Sequence, residues 1–72
     1  MSKKIVNLRP DEEYITLNVL LKITNVIDTG GMAKAYLAEN PVLVNGESEN
    51  RRGRKLYRGD SIQVADDTFI IE

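Results

Sequence analysis

The sequence contains no cysteine and no histidine. Without cysteine there is no disulfide framework, no thiolate nucleophile and no cysteine-based metal site. Without histidine the chain also lacks the commonest general base and the commonest metal ligand. Zinc sites, Cys/His dyads and Ser-His-Asp triads are therefore excluded. We expect no intrinsic catalysis, no metal, no cofactor and no small-molecule substrate.

Long apolar runs are missing as well. The longest run is far shorter than the roughly 20 residues that a membrane span needs, and Ile5 and Val6 are too few for the apolar region of a signal peptide. We therefore expect no membrane association and a cytoplasmic location. The chain has only two prolines, and its composition is that of a globular protein. Its length predicts a single domain spanning residues 1–72, with a small core.

Two helices are predicted in the first half of the chain. Apolar residues at helical spacing predict a first helix that begins after Thr16, whose hydroxyl would cap it, and ends near Asn25. A second helix is predicted for 32–39. The segment Asp28-Thr29-Gly30-Gly31 supplies its break and its cap, Asp28 or Thr29, and Pro41 ends it.

Short strands are predicted in the rest of the chain: 4–8 before the helices, and 42–44, 47–50, 61–64 and 68–71 after them. Asn45-Gly46 is a preferred two-residue hairpin turn, because both central residues must take positive φ. Asp66-Asp67 is expected to turn the last hairpin. The order predicts an α+β fold, in which two packed helices are followed by a small, mostly antiparallel sheet.

Positive charge is concentrated in Asn50–Arg58, which we call the basic run. It holds five of the ten basic residues, namely Arg51, Arg52, Arg54, Lys55 and Arg58. Removing these five charges from the formal net charge of −1 leaves −6 for the remaining residues. Phosphates would relieve the repulsion within the run, and arginine suits bidentate phosphate contact. Gly53 allows close approach of a ligand, and Tyr57 could stack on a base.

A non-functional alternative for the basic run is a solvated loop, neutralised by Glu47, Glu49 and Asp60.

The start of the second helix offers another anion site, because Gly30 and Gly31 leave backbone amides open and Lys34 follows one turn in. A nucleotide-binding phosphate loop is not predicted there, since it needs Gly-x-x-x-x-Gly-Lys-Ser/Thr after a strand.

Four landmarks between Thr16 and Val64 resemble the S4 domain, the RNA-binding domain first seen in ribosomal protein S4. They are Leu17-x-x-Leu20-Leu21-Lys22, Thr29-Gly30-Gly31 with Ala33-Lys34-x-x-Leu37, Val42-Leu43-Val44-Asn45-Gly46, and Arg58-Gly59-Asp60-x-Ile62. The likeness is greatest to the short, stand-alone YaaA-like group, through Thr-Gly-Gly-x-Ala-Lys and Arg-Arg-Gly-Arg-Lys. The chain departs from many relatives at Gly30 and Gly31, where they carry arginine or serine, and at Asn40-Pro41, which replaces a glycine.

The resemblance implies an alpha-L motif, in which two helices and the following hairpin form an L-shaped surface for RNA. Its implied function is non-catalytic binding of structured RNA, ribosomal RNA in particular, with the ribosomal particle as a partner during ribosome assembly. Carried over by position, RNA contacts are expected from Lys22, Thr29, Gly30, Gly31, Lys34, Arg51, Arg52, Gly53, Arg54 and Lys55.

These residues are expected to form two walls of one surface. One wall is the basic run and the other is the start of the second helix, with Lys22 at the edge. The alternative from another functional class is a protein-interaction adaptor, whose basic run would bind an acidic partner.

Overall fold

The structure of the protein is a computed structural model that describes residues 2–72. Its elements in chain order are β1 (Ser2–Val6), β2 (Tyr14–Thr16), α1 (Leu17–Ile23), α2 (Met32–Glu39), β3 (Val42–Val44), β4 (Glu47–Glu49), β5 (Lys55–Tyr57), β6 (Ser61–Val64) and β7 (Asp67–Ile71). Two helices combined with a mostly antiparallel sheet confirm the predicted α+β class. The strands do not all follow the helices, because β1 and β2 precede them.

The main sheet has five strands in the order β1-β7-β6-β3-β4. Its pairs are antiparallel except β1 with β7, which run parallel. This parallel pair brings the two ends of the described chain together, with Ile5 opposite Ile70. Beyond the pair, the Leu8 N–H donates to the Glu72 carbonyl at 2.7 Å. The first strand is thus predicted for residues 4–8 but observed two residues earlier, at Ser2–Val6.

Two tight turns connect the antiparallel hairpins of the main sheet. Asn45 and Gly46 have φ angles of 52° and 86°, which confirms the two-residue turn predicted from Asn-Gly. The last hairpin turns one residue earlier than predicted, because Val64 pairs with Asp67. Ala65 and Asp66 therefore form that turn, and Ala65 takes a φ of 54°.

A second, two-stranded sheet pairs β2 with β5 and was not predicted. Its central pair is Ile15 opposite Leu56, and both side chains are buried. Tyr14 and Tyr57 form the neighbouring pair and are exposed. Each strand has only three residues, too short for alternation to stand out in the sequence.

One hydrophobic cluster joins both helices to both sheets. The helices contribute Leu17, Leu20, Leu21, Ala33 and Leu37, all with no exposed surface. Buried residues of the strands complete the cluster, among them Val42, Val44, Leu56, Ile62 and Ile71. None of the helices within residues 2–72 is long and apolar enough to cross a membrane.

The helix ends depend on backbone geometry more than on side-chain caps. After α1, Asn25 takes a φ of 63°, and the Val26 N–H donates to the Leu21 carbonyl at 2.9 Å. This arrangement is a Schellman motif, in which asparagine replaces the usual glycine. The N-terminal cap predicted for α2 from Asp28 or Thr29 is wrong, since Gly31 is the N-cap residue and no side chain bonds to the first amides of that helix.

Candidate functional site

The backbone of the basic run is bonded to the first turn of α1. The Leu17 N–H donates to the Arg54 carbonyl at 2.9 Å, and the Asn18 N–H donates to the Arg52 carbonyl at 3.0 Å. Thr16 occupies the N-cap position, but its hydroxyl donates to the Asn18 side chain and caps no amide. The predicted threonine cap is therefore wrong, because carbonyls of the basic run accept the first amides of the helix.

The segment before α2 also lies against Asn18. A Cβ built on Gly30 would be 3.7 Å from Asn18 Nδ2. Asn18 therefore lies between the Arg52 carbonyl, bonded to its amide, and Gly30, close to its side chain. The structure thus brings the backbone of the basic run and the start of α2 to the same residue.

Gly30 is half-buried, whereas Thr29 and Gly31 are exposed. The Met32 N–H donates to the Thr29 carbonyl at 3.1 Å, and the Ala33 N–H donates to the Gly30 carbonyl at 3.2 Å. Within residues 2–72, the Gly30 and Gly31 amides have no hydrogen-bond acceptor. Both amides are therefore available to an anion.

Glu49, at the end of β4, lies beneath the basic run and is buried. Its carboxylate accepts from Arg51 Nε at 3.0 Å, from Arg51 Nη2 at 3.1 Å and from Arg54 Nη1 at 2.9 Å. The Arg51 backbone N–H also donates to it at 3.1 Å. The side-chain bonds from Arg51 outweigh the burial and lower the pKa of Glu49 from 4.5 to about 2. The same bonds raise the pKa of Arg51.

Two cations of the basic run therefore have an internal counter-charge. Glu49 pairs with Arg51 and Arg54, as the alternative of a neutralised loop predicts. The other two acids named in that alternative, Glu47 and Asp60, form no ion pair with the basic run in the described part of the chain. The Arg51 side chain is still 73% exposed and that of Arg54 is 34% exposed. Each guanidinium thus has further N–H donors for a second anion.

The remaining cations of the basic run differ in their surroundings. Lys55 Nζ lies 5.1 Å from the centre of the Tyr14 ring, a cation–π contact. Arg58 donates to the carbonyls of Glu12 and Arg9 at 2.9 and 3.0 Å and so holds the loop before β2. Arg52 is exposed, and its side chain has no hydrogen bond or ion pair in the described part of the chain.

The two lysines predicted on the helices are both exposed. Lys22 lies in the last turn of α1, and Lys34 lies in the first turn of α2. Neither lysine side chain forms an ion pair or hydrogen bond with another described residue, the basic run included. Gly53 is exposed too, with open space where a Cβ would stand.

The Asn-Gly and Gly-Asp landmarks are joined by hydrogen bonds. Asn45 Nδ2 donates to Asp60 Oδ1 at 3.1 Å, and the Ser61 N–H donates to Asn45 Oδ1 at 3.0 Å. Asp60 Oδ2 also accepts from the Tyr57 N–H at 2.8 Å. These two motifs therefore hold the β3–β4 turn against the end of β5. Sequence reasoning recognised the motifs but missed this contact.

An open groove runs along the basic run. Its volume is about 620 Å³, and its lining residues are Arg51, Gly53, Arg54, Lys55, Tyr57 and Asp60. Residues 2–72 contain no group of three or more acidic, histidine or cysteine side chains that could hold a metal ion. The groove thus offers cations, an aromatic ring and one carboxylate.

Comparison with known proteins defines the class to which this fold and surface belong. The sequence profile of the S4 domain matches residues 8–72, so the chain belongs to the S4 domain family. It is similar to the "Probable ribosome maturation protein RlbA" of Bacillus subtilis (strain 168), with 57% identity over 54 residues. The alignment covers 75% of this chain and 76% of that relative. No solved structure gives a significant match.

Proposed function

We propose that residues 1–72 form a single, non-catalytic RNA-binding module that recognises structured RNA by shape and by its phosphates. Membership of the S4 domain family supports this proposal. The name of the Bacillus subtilis relative supports a role in ribosome maturation. We therefore propose ribosomal RNA as the ligand and ribosome assembly in the cytoplasm as the setting. The ribosomal particle is then the proposed partner.

The proposed surface is an alpha-L motif made of α1, α2 and the β3–β4 hairpin, with the basic run beside it. The observation that carries it is the position of Asn18, bonded to the Arg52 carbonyl and close to Gly30. Gly30 and Arg52, about twenty positions apart in sequence, thus have backbone next to the same residue, which supports a shared surface. Convergence matters because rigidly placed phosphate contacts can select one RNA shape over another.

Within this surface we assign contacts by the surroundings of each side chain. Arg52 and Lys34 are exposed without internal partners, so they contact phosphate directly, and Lys22 extends the surface at its edge. The open amides of Gly30 and Gly31 hold a phosphate at the start of α2. Arg51 and Arg54 are oriented by Glu49 and use their remaining N–H donors. Thr29, Gly53 and Lys55 complete the surface.

The test is the double charge reversal Lys34→Glu with Arg52→Glu, one change on each wall. We expect affinity for labelled ribosomal RNA fragments to fall by at least about tenfold in filter binding, because two phosphate contacts become repulsive. Changing Arg51 and Arg54 instead would set new acids against buried Glu49 and so endanger the fold.

The matched control is Lys3→Glu with Arg9→Glu, which changes the net charge equally at exposed residues outside the surface. This control should retain nearly all of the wild-type affinity. Equal weakening by both pairs would show that net charge alone governs binding. Unchanged binding in the test pair would contradict the surface, and a protein partner that persists after nuclease treatment would favour the adaptor.

A further inference from the structure

The groove along the basic run is lined by chemically different groups. Three of its lining residues, Arg51, Arg54 and Lys55, are cations, whereas Tyr57 and Asp60 provide a ring and a carboxylate. The Asp60 carboxylate holds the β3–β4 turn, and at the groove it also repels phosphate, so a phosphate is favoured near the cations and a group with N–H donors near Asp60. Its volume of about 620 Å³ lies within the range of small-molecule sites, roughly 300 to 1,000 Å³.

Tyr57 is held in place at this groove and is still 46% exposed. Its backbone N–H is bonded to Asp60, and its ring lies 5.6 Å from the ring of Tyr14, tilted by 52°. Leu56, the residue before it, is fully buried and anchors β5. Because the ring is already fixed, little side-chain entropy is lost when a flat ligand stacks on it.

Tyr14 is less suited than Tyr57 to stacking against a ligand. Lys55 Nζ lies over its ring, and the ring of Tyr57 packs against it at a tilt. Tyr14 does not line the groove, whereas Tyr57 does. Tyr14 therefore supports Tyr57, and Tyr57 is the aromatic surface presented to a ligand.

Asp60 defines what can lie beside that ring. Each of its carboxylate oxygens accepts one hydrogen bond within the protein, from the Tyr57 N–H and from Asn45 Nδ2. A carboxylate oxygen can accept a second bond, so the groove suits the edge of a base that carries N–H donors. Guanine, with N–H donors at N1 and N2, fits this requirement, and uracil offers fewer donors.

We propose that the groove binds one unpaired nucleotide of the RNA, with its base stacked on Tyr57 and its phosphate among Arg51, Arg54 and Lys55. This assignment rests on the proposed RNA-binding function and narrows it, because a fully paired stem has no base free to enter the groove. The S4 surface then reads a helix beside a bulge or loop, and Tyr57 is the residue that detects the unpaired base.

The test uses two RNA hairpins of equal length, one fully paired and one with a single bulged guanosine. Wild-type protein should bind the bulged hairpin about tenfold more tightly, the effect of one stacked base. Tyr57→Leu should lose this preference and keep its affinity for the paired hairpin. Tyr57→Phe, which retains the ring, should keep the preference. Thermal unfolding of both variants checks that each is folded.

The outcomes of this test distinguish failure of the base site from failure of the proposed RNA binding. Equal binding of both hairpins by wild type, or a preference that survives in Tyr57→Leu, would overturn the base site and leave RNA binding intact. If wild type binds neither these hairpins nor ribosomal RNA fragments, both proposals fail. If free GMP competes as well as the bulged hairpin, the groove is a mononucleotide site, and the assignment to RNA is wrong.

Discussion

A single buried carboxylate organises the densest charge in the molecule. Five cations in the basic run would repel one another in an unsupported loop. Glu49 accepts side-chain bonds from two of them and a backbone bond from Arg51, and so fixes where the run leaves β4. Its pKa of about 2 keeps the carboxylate charged at any physiological pH. Glu49 is therefore a positioning residue for the proposed RNA contacts.

We predict that Glu49→Gln destabilises the fold by about 1–3 kcal/mol at pH 7, because three hydrogen bonds from guanidinium groups lose their charged acceptor. The measurement is urea-induced unfolding followed by circular dichroism. Glu47→Gln is the matched control, since the Glu47 side chain is exposed and has no hydrogen bond or ion pair within residues 2–72. Similar losses in both variants would contradict the role of Glu49.

The stabilities of wild type and Glu49→Gln should also depend differently on pH. The pKa of Glu49 is lower in the folded chain, so between about 4.5 and about 2 the unfolded state takes up a proton that the folded state does not. The stability contributed by Glu49 is complete above pH 4.5 and is lost as the pH falls toward 2. The difference between wild type and Glu49→Gln should shrink over that window, and a constant difference would contradict the pKa shift.

Sequence reasoning at this scale identified residue types better than residue partners. The apolar residues whose helical spacing predicts the first helix include Leu17, Leu20 and Leu21, and these three are buried, because helical periodicity alone determines which side of a helix is apolar. The pairing of Glu49 with Arg54 depends on the path of the loop between them, and no periodic pattern encodes that path. The Asn45–Asp60 bond likewise joins two separate turns.

At the scale of elements, the small β2–β5 sheet connects the basic run to α1. Its ladder pairs Thr16 with Lys55 and continues into the bond from the Leu17 N–H to the Arg54 carbonyl. The helix therefore begins where the strand pairing ends. This connection explains why the helix start needs no side-chain cap, and why the loop cannot move without disturbing α1.

The turn between β6 and β7 carries a strained residue. Ala65 has a φ of 54°, in the left-handed region that side chains with a Cβ disfavour by about 1–2 kcal/mol. We predict that Ala65→Gly stabilises the fold by about 0.5–1 kcal/mol, since part of the gain is offset by the greater freedom of glycine when unfolded. The melting temperature should rise by about 2–6 °C.

The matched control for this prediction is Ala35→Gly, the same chemical change at an exposed position within α2. Glycine within a helix costs about 1 kcal/mol relative to alanine, so this variant should melt at a lower temperature than wild type. A fall in melting temperature for both variants would contradict the strain at Ala65.

The elements that sequence predicted best were those with strong local signals. The second helix was predicted with its observed bounds, because glycines precede it and Asn40-Pro41 follows it. The Asn45-Gly46 turn was predicted for the same reason. The β2 and β5 strands were missed, because their three-residue segments form a sheet only when distant parts of the chain meet.

For the whole molecule, the distribution of charge favours one orientation toward a polyanion. The formal net charge is −1, and the residues outside the five cations of the basic run sum to −6. Under the proposed function, attraction of RNA to the basic run and repulsion by the acidic remainder would orient the encounter. Arg51 and Arg54 are already paired with Glu49, so we count only Lys22, Lys34, Arg52 and Lys55 as cations that each neutralise a phosphate. About four neutralised phosphates give a log–log salt dependence with a slope of about −3.

The proposed function requires the start of α2 and the basic run to form one RNA surface. Ultraviolet crosslinking to ribosomal RNA, followed by mass spectrometry of the crosslinked peptides, tests this arrangement. We predict crosslinks both in the segment from Thr29 to Lys34 and in the basic run, with Tyr57 among the modified residues. Crosslinks confined to one of these segments, or found instead on β1 around Lys3 and Lys4, would contradict the two-walled surface.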